Sequence, residues 1–343
     1  MKQKTSFADS LMETVSENIP ATIIIVGTIA LAVALGVVGT ASQVIISVIT
    51  GGMWALMAVG LALVFGVMNV PHFAHGESFM VGAYVAFYVF DPIRAYLAGN
   101  PNPLLGAVAP FIAILASGVA GAILGVILER VLFYPLRLRS KAGEWVMNAF
   151  LLTVGISFIM TNGTTLLIGP NFLGIPGYWD VDALQFLGAR VSADRVIAFF
   201  IALGSIVALW FFLRRTRTGR AIRAVSQDEV GAQMMGINLD FIYPLTFSLA
   251  TAMAALAGGS LLFMFQAYPT VGKTPLYFAW FVVMMAGLGN VVGAIVGGFI
   301  VAVFQTATQQ FVGIAWANVI PTALMIIVLL VVPKGIFGSD VGE

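Results

Sequence analysis

The sequence predicts an all-α integral membrane protein, a polytopic helical bundle of about ten membrane segments, some broken or short. Three observations carry this. Hydrophobic residues make up 60% of the 343 and charged residues only 9%, whereas a soluble domain carries about 25% charged residues. Apolar runs of about 20 residues, the length a helix needs to cross a bilayer, recur along the whole chain. They do not alternate apolar and polar at period two, as membrane-barrel strands do. The Lys and Arg residues gather in a few interruptions between the runs.

Residues 1–19 are polar and mixed in charge and are expected to form a cytoplasmic N-terminal segment without a cleavable signal peptide. Residues 20–343 form one transmembrane domain. Pro20 opens a first span over about 21–39, and a second follows over 43–67. NVPHFAHGESF, residues 69–79, then interrupts the apolar character at Pro71; it holds both histidines of the chain, and Glu77. Apolar residues resume to Phe90, and the Pro- and Gly-rich stretch 91–103 reads as a loop. A span over 104–128 leads to the charged interruption 129–145. Spans over 148–168 and 195–213 flank a loop with Trp179, Asp180 and Asp182. The basic loop 214–240 precedes a span over 241–266, a glycine-interrupted stretch over 276–312, and a last span over 316–332.

Sidedness follows from the positive-inside rule. With the N-terminus in the cytoplasm and ten crossings, Lys2, Lys4, Arg130, Arg137, Arg139, Lys141, Arg214, Arg215, Arg217, Arg220, Arg223 and Lys334 fall inside. Arg94, Arg190, Arg195 and Lys273 fall outside. The loop over 170–194 then faces outward. Net charge is +1, so bulk electrostatics points to no nucleic-acid partner. The absence of cysteine excludes disulfides and thiolate chemistry.

The loop 214–240 holds five of the sixteen basic residues and a compact helix signal. Ser226 and Glu229 have capping-box spacing, with Gln227 as first helical residue. Gly236 fits the left-handed stop, with Ile237 folding back after it. Val230 and Met234 share a face. A helix this short is unstable alone, and its apolar stripe in a basic loop suits the grip of a partner.

Few residues carry chemistry. His72, His75 and Glu77 are the densest ionisable group in apolar surroundings. Their spacing could begin a metal site, but no third histidine completes one. They either meet the free backbone groups of a broken helix, with Glu77 accepting its N–H donors, or line a pathway, since ionisable groups at membrane depth are costly. The stretches 69–77 and 287–293 are candidates for corresponding interruptions of two half-repeats. With Asn69, Gly289, Asn290 and Gly293 they outline a path, with Gln266 and Gln305 as further polar residues. Small residues four apart (Ser117, Gly121, Gly125; Ala250, Ala254, Gly258; Gly289, Gly293, Gly297) suit close helix packing. Neither a GxxxxGK[ST] loop nor a GxSxG elbow occurs, so an enzyme reading has little to stand on.

Four stretches carry a family resemblance: GGMWALMAVGLALVFGVMNVPHFAHGESFMVGAY at 51–84, ERVLFYPLR at 129–137, GRAIRAVSQDEVGAQMMGINLD at 219–240, and AGLGNVVGAIVGG with the terminal VVPKGIFG. Together they resemble a permease subunit of the branched-chain amino-acid (Liv-type) ABC importers. This chain departs from that family's pattern at His72, where the family has Asn, and at Val230, Gly231 and Ala232, where it has a Glu-Ala-Ala-like triplet. The resemblance implies pairing with a second, similar permease, two cytoplasmic ATPase subunits that bind ATP and Mg, and an external solute-binding protein. No cofactor is expected in this chain. The ATPase would meet Gly219, Arg220, Arg223, Ser226, Asp228, Glu229, Val230, Met234 and Gly236. The binding protein would meet Tyr178, Trp179, Asp180 and Asp182. The solutes implied are branched-chain or other hydrophobic amino acids, with urea or short amides as the alternative. A channel and a membrane scaffold are the other classes compatible with the residues.

Overall fold

A computed structural model describes residues 19–38, 41–141, 143–179, 182–186, 189–333 and 335–337. Of the expected features, the N-terminal segment through Asn18, Asp180 and Lys334 lie outside them. The described residues are almost wholly helical: α1 (Ile19–Val38), α2 (Ala41–Met68), α3 (His75–Gly99), α4 (Pro103–Leu128), a π turn (Glu129–Phe133), α5 (Tyr134–Arg139), α6 (Trp145–Leu167), α7 (Ala193–Arg215), α8 (Arg217–Gln227), α9 (Glu229–Met234), α10 (Leu239–Ser260), α11 (Leu262–Phe265), α12 (Lys273–Ala286), α13 (Val291–Phe311), a 3-10 turn (Ile314–Trp316) and α14 (Val319–Val331). A two-stranded hairpin, β1 (Leu184–Phe186) against β2 (Ala189–Val191), pairs Gln185 with Arg190 in antiparallel register.

Seven helical stretches have the length and apolar character of membrane spans: 41–68, 103–139, 145–167, 193–215, 239–260, 291–311 and 314–331. The remaining expected segments differ from these. The apolar stretches in α1 and α12 are shorter, and α3 carries Glu77, Asp91 and Arg94.

Two expected loops are helical. The chain stays in α3 through Pro92 to Gly99, and Asp91 and Arg94 pair at 2.7 Å across one helical turn there. The break shrinks to 100–102, where Asn102 accepts from the Leu105 N–H to start α4. The interruption 129–145 likewise continues α4 through the π turn and α5 to Arg139. Glu129, Arg130 and Arg137 have partners described below, while Arg139, Lys141 and Glu144 are exposed.

α2 is the hub. It is apolar on every side and buried along most of its length, as a core helix is. It packs on α13, α10, α12 and α7. α10 packs chiefly on α4 and α3, and the expected stripe of small residues lies in that seam, with Gly121 and Gly125 against the backbone of α10 at 247–252. The pairings repeat: α2 lies on α13 as α10 lies on α4. Exchanging α2 with α10 and α4 with α13 thus relates two halves of the bundle. α6 and α14 form the outside, with little of either buried.

Both basic segments lie at one end of the bundle. Arg130 and Arg137 reach Asp240 there, and the end of α2 is held by α6, with the Trp145 indole donating to the Met68 carbonyl at 2.9 Å. Residues 168–179 cover the other end, where Leu173 pairs with Ala267 and Trp179 donates to the Ala107 carbonyl at 3.2 Å.

Candidate functional site

The middle of the bundle is built around a fold-back. α2 ends at Met68, and Asn69 takes a left-handed turn at φ 55°, a conformation Asn tolerates better than most residues. The chain then runs back beside α2, so that α3 begins next to residues already passed. The His75 Nε2 donates to the Met57 carbonyl at 3.2 Å. Here α3 meets the start of α12: a Cβ on Gly76 would stand 2.6 Å from the Gly272 carbonyl oxygen, so only glycine allows the two helix starts to cross. The counterpart of the 69–74 break is therefore 261–272, which precedes α12 as 69–74 precedes α3. This corrects the expected pairing with 287–293. That second break sits instead beside the end of α2, where a Cβ on Gly66 would lie 2.9 Å from the Gly289 Cα.

Backbone groups freed by the fold-back need partners. α6 supplies them. The Thr153 hydroxyl accepts from the Phe73 N–H at 3.2 Å and shares its one proton between the Pro71 carbonyl at 3.1 Å and the Phe150 carbonyl of its own helix at 2.9 Å. One turn on, Ser157 donates to Glu77 Oε1 at 2.6 Å, and Thr161 to the same oxygen at 3.3 Å. Glu77, only 5% exposed, is thus bound by hydroxyls of a neighbouring helix, whereas the sequence suggested backbone N–H donors. Among the described residues its Oε2 is buried without a partner, as is His72 at both ring nitrogens. His72 lies against Phe247, ring centroids 4.7 Å apart. Asn69 is exposed at the basic end. Asn290 is occupied as a cap: it accepts from the Gly293 N–H at 2.8 Å and donates to the Phe337 carbonyl at 2.7 Å. No group of three or more His, Asp or Glu side chains placed to hold a metal ion occurs among the described residues.

At the basic end, Thr216 starts α8 by accepting from the Gly219 N–H. Gly219 is buried against the last turn of α7, and Arg223 donates to the Leu213 carbonyl at 3.1 Å. Ser226 does not cap the next helix. It belongs to α8 and donates to the Arg223 carbonyl. The cap is Asp228, which accepts from the Gly231 N–H at 2.9 Å. A helix can start at Asp228 because its side chain reaches that donor better than a serine two residues earlier. Gly236 takes φ 84°, and the Ile237 N–H reaches back to the Ala232 carbonyl at 3.0 Å, completing the expected stop. Val230 and Met234 of α9 and Met235 just after it are 67%, 82% and 84% exposed. Arg220 and Glu229 are exposed beside them.

At the opposite end, Tyr178 is buried. Its hydroxyl donates to the Gly259 carbonyl, its ring meets Phe90, and Asp194 accepts from the backbone N–H groups of Tyr178 and Trp179. Burial, with the Asp194 carboxylate beside it, holds the Tyr178 phenol above its ordinary range. Tyr178 therefore fastens the loop to the bundle, and Asp182 remains exposed next to the hairpin. The residues that sequence reasoning missed are the α6 donors Trp145, Thr153, Ser157 and Thr161, and the buried Glu129. The α6 set repeats every four residues, the spacing of one helix face.

A bundle of apolar helices long enough to cross a membrane, broken and refolded at its centre, defines a multi-pass protein of the cell membrane. Residues 43–329 match the family model described as branched-chain amino acid transport system / permease component. The chain belongs to that family. It is similar to the high-affinity branched-chain amino acid transport system permease protein LivH of Salmonella typhimurium, 31% identical over 307 residues that cover 86% of this chain and 94% of that one. It is also similar to BraD of Pseudomonas aeruginosa, 28% identical with 86% and 95% covered, and to a probable LivH of Methanocaldococcus jannaschii, 28% identical with 86% and 91% covered. No solved structure matches the chain.

Proposed function

We propose that this chain is the permease subunit of an ATP-driven importer for branched-chain or other hydrophobic amino acids. It works with a second, similar permease, two cytoplasmic ATPase subunits and an external solute-binding protein. The observation that carries the reading is α9: a capped two-turn helix at the basic end with Val230, Met234 and Met235 bare. Apolar side chains on a helix too short to stand alone are stabilised by burial against a partner. The ATPase takes that place, and the basic end is the cytoplasmic one. ATP and Mg are bound by the ATPase, and the ATP chemistry lies outside this chain.

The solute passes beside the 69–77 turn, where the helices break and the polar groups gather. An amino acid brings two charged ends, which unaided lipid would exclude. Selection rests with the external binding protein, which meets the exposed surface around Asp182 and the hairpin. The test is reconstitution of the permease pair and ATPases in proteoliposomes with the binding protein. ATP-dependent uptake of labelled leucine supports the reading; solute flux equal with and without ATP makes the protein a channel and overturns it.

A further inference from the structure

The motif ERVLFYPLR has no part in the reading above, yet it holds the densest polar contacts of the basic end. The Arg137 guanidinium forks between two carboxylates: Glu129 Oε1 at 3.2 Å and Asp240 Oδ1 at 3.3 Å. It also lies over the Tyr243 ring, 4.4 Å from the centroid. Arg130 adds a bond to the Asp240 carbonyl at 2.7 Å. Glu129 is fully buried and its only charged partner among the described residues is Arg137. A buried carboxylate left alone is costly, so the fork is fixed.

Each arm of this fork leads somewhere. Asp240 lies in the first turn of α10, four residues beyond the Gly236 stop of α9, so one arm holds the end of the segment that carries α9. Glu129 opens the π turn, a wide turn that redirects the side chains after it and frequently occurs at functional sites. That turn places Phe133 inside the bundle, against Phe247 at 4.8 Å between centroids, and both rings pack on His72 of the fold-back. The contacts run without a gap from the segment behind α9 to the turn at the centre. A close-packed interior passes a displacement on rather than absorbing it.

We propose that Arg137 is a positioning residue that carries the movement of α9 to the 69–77 turn, linking ATP hydrolysis to opening of the path. This rests on the transport reading above. Lysine cannot replace it, since a point charge does not fork between two carboxylates and lie on a ring at once. The test uses the reconstituted complex, with ATP hydrolysis and leucine uptake measured on the same vesicles. Arg137→Lys should assemble and hydrolyse ATP at the rate of the unaltered complex, while uptake per ATP falls by about 2- to 30-fold, the range for a residue on a coupling network. Asp240→Asn should do the same, and the double variant should lose no more than either alone, because both break one link. Unchanged uptake per ATP in Arg137→Lys overturns the proposal. So does parallel loss of hydrolysis and uptake in Asp240→Asn, which would make the cluster a fastening of the fold only. Should Arg137→Lys fail to assemble, Asp240→Asn decides alone. Absence of ATP-driven uptake in the unaltered complex would instead strike at the transport reading.

Discussion

Replacing Gly236 by valine isolates the contribution of one backbone angle. Gly236 ends α9 at φ 84°, and a Cβ there would meet nothing within 4 Å. The substitution therefore creates no clash with a neighbour, and its whole cost is conformational. A non-glycine residue held in the left-handed region costs about 1–3 kcal/mol, with β-branched residues at the upper end. α9 is six residues long and has no reserve of stability against such a cost. A loss of about 2 kcal/mol reduces the population of the capped form about 30-fold, at about 1.4 kcal/mol per tenfold. The reversal at Gly236 also sets the bond from the Ile237 N–H to the Ala232 carbonyl, so that bond is lost with it. Gly236→Val should leave a folded, membrane-inserted permease that loses its ATPases or hydrolyses ATP without uptake. Gly236→Asn should retain most of both, since asparagine visits the same region at lower cost. The assay is co-purification of the ATPases with each variant, followed by uptake. Normal transport by Gly236→Val would refute the docking role of α9. Equal damage by Asn and Val would show that something other than the backbone angle was disturbed.

The remaining predictions concern the turn and the orientation. Thr153→Val keeps the volume but removes the hydroxyl that bridges Pro71 and Phe73. Leaving these part-buried backbone groups without that partner should cost up to about 1–3 kcal/mol, read as a lower melting temperature of the detergent-solubilised permease; an unchanged melt would count against the bridge. Glu77→Gln keeps an oxygen for Ser157 and Thr161 and should assemble, whereas Glu77→Ala should melt earlier and express less. Full uptake and assembly by Glu77→Ala would remove the carboxylate from both turn and path. Because the chain lacks cysteine, single cysteines at Asp182 and at Ser226 can be labelled in intact cells with an impermeant reagent. Asp182→Cys should react from outside and Ser226→Cys only after permeabilisation; reaction of both from one side would invert the topology.

The spans were legible because apolar length is a local property of the sequence, and α2, α6, α7 and α14 begin and end within a few residues of the expected bounds. The misses lie where local punctuation suggested a loop. The stretch 91–103 read as loop for its prolines and glycine, and 129–145 as an interruption for its charge. In the structure the helix runs on through Pro92, and Glu129 pairs with Arg137, so neither signal stops it. The capping box at Ser226 failed for a related reason: Asp228 offers the same chemistry two residues later, and a local pattern cannot decide between two adjacent caps.

The central fold-back was legible as a break but not as a site, because its partners lie elsewhere in the chain. Pro71 and the two histidines announce that the helix stops. Nothing near them says where the freed carbonyls and N–H groups find bonds. That information sits 80 residues on, in Thr153, Ser157 and Thr161, whose four-residue spacing places three hydroxyls on one face of an otherwise outward-facing helix. A hydroxyl in a membrane helix can satisfy itself on its own backbone, as Thr165 does on the Thr161 carbonyl, so the row alone is silent. Joined to a break that needs donors and a carboxylate that needs them too, the row becomes specific. It also explains why so exposed a helix keeps so polar a stripe. α6 is held to the bundle at the fold-back itself, so any rearrangement that moves the turn must move α6 or exchange its bonds.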